Sequence, residues 1–90
     1  MRIISQNGDY DINYDNTDLI IVKGDYNTYI KALLRGEDKS VIIGKYENHD
    51  KALMILNKIR NTHDMLTNSR FDGVKEKEYI TDYFYLPKDE

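Results

Sequence analysis

Two His-Asp pairs, His49-Asp50 and His63-Asp64, are the side chains here whose types most invite a chemical reading. A repeated pair of this kind suggests a metal-dependent phosphohydrolase, since imidazoles and carboxylates can converge on one divalent ion. The spacing rejects it. On one helix the two histidines stand roughly 21 Å apart at a rise of 1.5 Å per residue, and one metal cannot span that. His49 then reads as a first-turn surface residue, and His63 as a side chain at the edge of the helix's apolar stripe. Asp9-x-Asp11-x-Asn13 has the opening spacing of a calcium loop. However, Tyr14 stands where the loop needs glycine and Ile20 where it needs a bidentate Glu. The solvent face of a strand explains that alternation better.

Nucleophilic catalysis has little to draw on. The chain has no cysteine, which excludes a thiol nucleophile, a thiolate metal site and a disulfide framework. Ser5, Ser40 and Ser69 lack a G-x-S-x-G context, and no glycine pattern matches a phosphate-cradling loop. The expectation is a protein that is not an enzyme and uses no metal and no cofactor. What remains is binding chemistry. Eight tyrosines accompany two phenylalanines and no tryptophan, and tyrosine suits half-buried strands and binding surfaces alike. Tyr29, Tyr79, Tyr83 and Tyr85 are the candidate aromatic contacts, with Arg35 and Lys45 (and Arg70) as candidate partners for an anionic group.

Composition sets the frame for these residues. Ninety residues with 40% hydrophobic content make one domain, 1–90, near the small end of what folds alone. Small chains often add buried surface by oligomerising, so a homodimer is expected. A formal charge of −3, with both signs spread along the chain, argues against direct nucleic-acid binding. No apolar run has the length of a membrane span, and the N-terminus lacks a signal-peptide layout. With the absence of cysteine, this fits the cytoplasm.

The elements that must position the candidates are legible in outline. Arg2 to Gln6 and Asp9 to Tyr14 read as a hairpin around Asn7-Gly8, a two-residue turn whose central residues both need positive φ. In its second strand Tyr10, Ile12 and Tyr14 share a face, and Asp15-Asn16-Thr17 has turn chemistry. Leu19-Ile20-Ile21-Val22 is a short apolar run expected to be buried on both faces. Strands follow at Tyr26 to Leu34 and Val41 to Tyr46, joined by turns at Gly24-Asp25 and Gly36 to Lys39. Gly44 suggests a bulge or a close approach by the helix. Asn48 caps a helix with Asp50 in its first turn. Its stripe is Ala52, Leu53, Ile55, Leu56, Ile59 and Leu66, secure to Asn61 and fraying to about Thr67. Asn68 to Lys77 reads as a loop with a turn at Asp72-Gly73. A last strand runs from Tyr79 to Leu86, with Tyr79, Thr81, Tyr83 and Tyr85 on one face. Strands, one helix and a closing strand predict an α+β fold: a curved antiparallel sheet of five to six strands with the helix across one face. The other face would be Tyr-rich.

The opening Met1-Arg-Ile-Ile-Ser-Gln-Asn-Gly8 resembles the start of a family of small, uncharacterised phage and prophage proteins of Gram-positive bacteria. Asp11 to Tyr14, Tyr46 to Ala52 and Phe84 to Glu90 resemble further parts of that family, whereas the stretch from Thr62 to Tyr79 is longer than in its usual members. The family has no established activity, so the resemblance carries over no site residue. It implies an accessory protein of a mobile element, acting in the bacterial cytoplasm, where such proteins often inhibit host defence. Two binding readings are compatible with the residues. One is inhibition of a host protein through the Tyr-rich face or the acidic tail. The alternative is sequestration of a small (cyclic) nucleotide immune signal in a pocket at an oligomer interface, and a further one is a structural or regulatory accessory role.

Overall fold

A computed structural model describes residues 1–71 and 83–89 of the chain. The elements in order are β1 (Arg2–Ile4), β2 (Asp11–Asn13), a 3-10 turn (Tyr14–Asn16), β3 (Thr17–Lys23), β4 (Thr28–Leu34), β5 (Lys39–Tyr46), α1 (His49–Phe71) and β6 (Tyr83–Tyr85). The class is α+β. The strands divide between two three-stranded sheets instead of forming one, in the orders β2-β1-β6 and β3-β4-β5. The second is an antiparallel meander, and β6 joins β1 in parallel.

The first hairpin differs from expectation at its turn. Ser5 and Tyr10 close it, with the Ser5 N–H on the Tyr10 carbonyl at 2.8 Å and the Gly8 N–H on the Ser5 carbonyl at 2.9 Å. Gln6-Asn7 are therefore the central pair, and Gly8 alone takes positive φ, at 81°. Asn7 serves through its side chain, whose Oδ1 accepts from the Asp9 N–H and from the Ser5 hydroxyl. The second strand is correspondingly shorter than Asp9 to Tyr14, because Tyr14 begins the 3-10 turn.

Alternation governs the meander. Thr28, Ile30 and Ala32 of β4 are buried on the helix side, flanked by Leu19 and Ile21 of β3 and by Val41, Ile43 and Tyr46 of β5. The expectation that Leu19 to Val22 is buried on both faces is corrected: β3 is an edge strand and Ile20 is 38% exposed on the outer face. A run of four apolar residues can serve an edge strand when the outer face itself is apolar. In β5 the register shifts between Ile30 and Lys31, which pair with Gly44 and Ile42 and leave Ile43 as the extra residue. That is the bulge the glycine suggested. The close approach at Gly44 comes from Tyr46 and Leu86 instead of the helix: an added Cβ would lie 2.8 and 2.9 Å from their side-chain carbons.

The helix starts where its cap requires, with the Lys51 N–H on Asn48 Oδ1 at 2.9 Å. Ala52, Ile55, Leu56, Ile59 and Leu66 are buried, and the first two with Ile59 join the cluster made by Ile3, Ile12, Ile30, Ile43 and Leu86. One core thus unites both sheets and the helix. The helix runs on to Phe71, so the loop expected from Asn68 begins no earlier than Asp72, and the longer stretch from Thr62 is helical in its first part. The turn at Asp72-Gly73 and the strand residues Tyr79 to Asp82 lie outside the described residues.

Candidate functional site

The candidate binding residues fall into three places. Tyr29 and Lys45 are cross-strand partners on the outer face of the meander, away from the helix. The same face carries Ile20, Val22, Leu33 and Ile42, the last 46% exposed, around a central Lys31. It is the Tyr-poor, aliphatic version of the surface expected. Tyr83 and Tyr85 lie instead on the outer face of the small sheet, with ring centroids 6.4 Å apart. Phe84 between them points into the core. Beside them on that sheet Arg2 pairs with Asp11 at 2.7 Å. Tyr79 lies outside the described residues.

Arg35 is elsewhere. It stands just past the end of β4, six residues on from Tyr29, roughly 20 Å at the rise of a strand. Its guanidinium donates to Asp18 Oδ1 at 2.7 Å and to the Asp15 carbonyl at 3.4 Å. The hydrogen bond and the charge of Asp18 hold its pKa above the ordinary value. The structure therefore joins Tyr29 with Lys45, and Tyr83 with Tyr85, but does not bring Arg35 to either pair.

Arg35 opens onto a cleft of about 330 Å³ lined also by Tyr14, Asp15, Asp18, Leu19 and Arg60. The 3-10 turn supplies one wall and the middle of α1 the other. Behind the wall, His63 packs against Tyr14 with ring centroids 4.4 Å apart and tilted by 35°, and lies 3.2 Å from the Asp15 carboxylate. Arg60 reaches Asn57 at 3.4 Å and has no ion-pair partner among the described residues. Two arginines and an aromatic ring thus converge on a concave surface, with two carboxylates among them. Neither Arg60 nor Tyr14 is among the binding candidates read from the sequence. The helical spacing Leu56, Arg60, His63 was the available signal, since it aligns both side chains with a buried residue.

His49 is exposed in the first turn, far along the helix from His63. Among the described residues no three His, Cys, Asp or Glu side chains gather closely enough to hold a metal ion. Nor, among those residues, is any helix long and apolar enough to cross a membrane.

No protein-family profile, no curated protein and no solved structure matches this chain.

Proposed function

We propose that this is a non-enzymatic binding protein of phage or mobile-element origin that inhibits a bacterial defence system by docking on one of its proteins. The observation that carries the reading is the outer face of the meander. There Ile20, Val22, Tyr29, Leu33 and Ile42 form a largely apolar field around Lys31, with Lys45 beside Tyr29 on β5. A mixed aliphatic and aromatic strand face carrying two lysines suits a protein surface better than a small ligand. The origin and the cytoplasmic setting come from the resemblance of the opening residues to small phage and prophage proteins. A homo-oligomer belongs to the same proposal.

The test is capture of host proteins by the full chain from a bacterial lysate, together with protection of phage growth in a defence-bearing host. Tyr29→Ser with Ile42→Glu should abolish both, and Arg60→Ala should leave both intact. Loss on Arg60→Ala alone would overturn the reading.

The Tyr14, Arg35 and Arg60 cleft favours a second reading, sequestration of a small nucleotide signal. Tyr14 offers an aromatic face, and Arg60 a cation with no ion-pair partner among the described residues. Asp15 and Asp18 weigh against it, because they repel phosphate and already hold Arg35.

A further inference from the structure

Among the described residues the outer edge of β3 pairs with no other strand, and which of its backbone groups face outward follows from the register. The Gly24 N–H bonds to the Asn27 carbonyl at one end of the β3–β4 pair, and the Arg35 N–H to the Asn16 carbonyl at the other. Bonded pairs alternate along an antiparallel ladder, so Val22, Ile20 and Asp18 exchange bonds with Tyr29, Lys31 and Leu33. The N–H and C=O groups of Leu19, Ile21 and Lys23 consequently face away from β4. Thr17 uses its own N–H on the Tyr14 carbonyl. Among the described residues no strand covers this edge. The usual protections are missing too: β3 has no proline, its register with β4 is unbroken, and its charges stand near its ends.

We infer that β3 pairs antiparallel with β3 of a second copy across a two-fold axis, with Ile20 opposite its own symmetry mate. The open groups sit on odd-numbered residues, so odd must face odd. Of the registers this allows, the one centred on Ile20 overlaps the whole strand. It sets Leu19 opposite Ile21 of the second copy on the helix side, and Ile20 against Ile20 on the outer side. It also lays Lys23 of the second copy beside Thr17, at the end of β3 where Asp15 and Asp18 stand, and repeats that contact by symmetry. Basic end thus meets acidic end twice. Thr17 lines the Arg35 and Arg60 cleft, so the second copy adds a lysine to its rim. The two meanders become one six-stranded sheet whose outer faces join at the Ile20 pair.

Sedimentation of the full chain across a wide concentration range should give a mass of twice 10.6 kDa. Ile20→Glu places a carboxylate opposite Lys31 within the chain, which suits the fold, and opposite its own copy across the axis. It should weaken the dimer roughly tenfold or more, since like charges directly opposite oppose pairing. The chain has no native cysteine, so Ile20→Cys gives a second readout. The pair at the axis is a non-bonded one, where Cα atoms lie about 4.5 Å apart and a disulfide fits. Mild oxidation should cross-link Ile20→Cys and spare Ile42→Cys, on β5. A single 10.6-kDa species at every concentration would overturn the inference. A dimer that survives Ile20→Glu, or one in which Ile42→Cys cross-links as well as Ile20→Cys, would overturn it equally.

Discussion

The side-chain amide of Gln6 pairs with the backbone of Lys45 in both directions, accepting from its N–H at 2.9 Å and donating to its carbonyl at 3.1 Å. The same amide also donates to the Pro87 carbonyl at 3.1 Å. Gln6's own N–H takes the Ile43 carbonyl at 2.7 Å. Gln6, two residues after β1, thus pairs along the β5 edge and stitches the small sheet, the meander and the C-terminal segment together. Only a planar amide has both donor and acceptor at that separation.

Gln6→Ala should therefore destabilise the chain by about 1–3 kcal/mol, because it leaves the N–H and carbonyl of Lys45 without this partner. For a domain of this size that lowers the melting temperature by several degrees, measurable by circular dichroism. Gln6→Glu, which keeps the acceptor and loses the donor, should recover only part of the loss.

Gly44→Ala should cost about 1–3 kcal/mol by overpacking, since the new methyl group meets Tyr46 and Leu86 at under 3 Å. Urea denaturation compares the two proteins directly. Trimming the neighbour in the same chain, as Gly44→Ala with Leu86→Val, should return part of the difference.

Tyr46 gives the fold an alkaline limit. Burial, with the nearby Asp89 charge, pushes its phenol from 10.0 up to about 12. A folded pKa above the unfolded one means that this contribution is complete below pH 10. It is lost as pH rises to about 12, because the unfolded chain ionises first. Tyr46→Phe should cost about 1 kcal/mol at pH 8 through the lost hydrogen bond to the Pro87 carbonyl, 2.9 Å long in the structure. It should also flatten the decline in stability above pH 10. Urea midpoints measured across that range check both parts.

The exposed tyrosines should behave oppositely. Tyr85, 69% exposed, should tolerate replacement by alanine within about 0.5 kcal/mol. A thermal melt much lower than that of the parent chain would make it a structural residue.

The legible parts of this fold were those set by local chemistry. Asn48 announces the helix start because an N-cap acts within one turn, and the alternation of Ile30, Ala32 and Leu34 announces β4. The Gly44 bulge was visible for the same reason. The division into two sheets was not, because it depends on Gln6 reaching residues 39 positions away and on β6 choosing β1. Nor was the exposure of Ile20, since an apolar run looks alike in a central strand and at an apolar edge. The helix outlasted its stripe: after Ile59 the next buried side chain among the described ones is Leu66, and a mostly polar run continues the helix to Phe71. At the binding residues, Tyr29 with Lys45 followed from cross-strand pairing. The separation of Arg35 and the convergence of Tyr14 with Arg60 required the tertiary packing of α1 on the 3-10 turn.

Native mass spectrometry of the full chain, purified gently from a defence-bearing bacterial host, tests the central claim most directly. Docking on a host protein predicts a stoichiometric protein complex that the Tyr29→Ser, Ile42→Glu variant fails to form, with no small adduct on the free chain. A retained adduct of nucleotide mass, released on denaturation and lost in Arg60→Ala, would contradict it and transfer the function to the cleft.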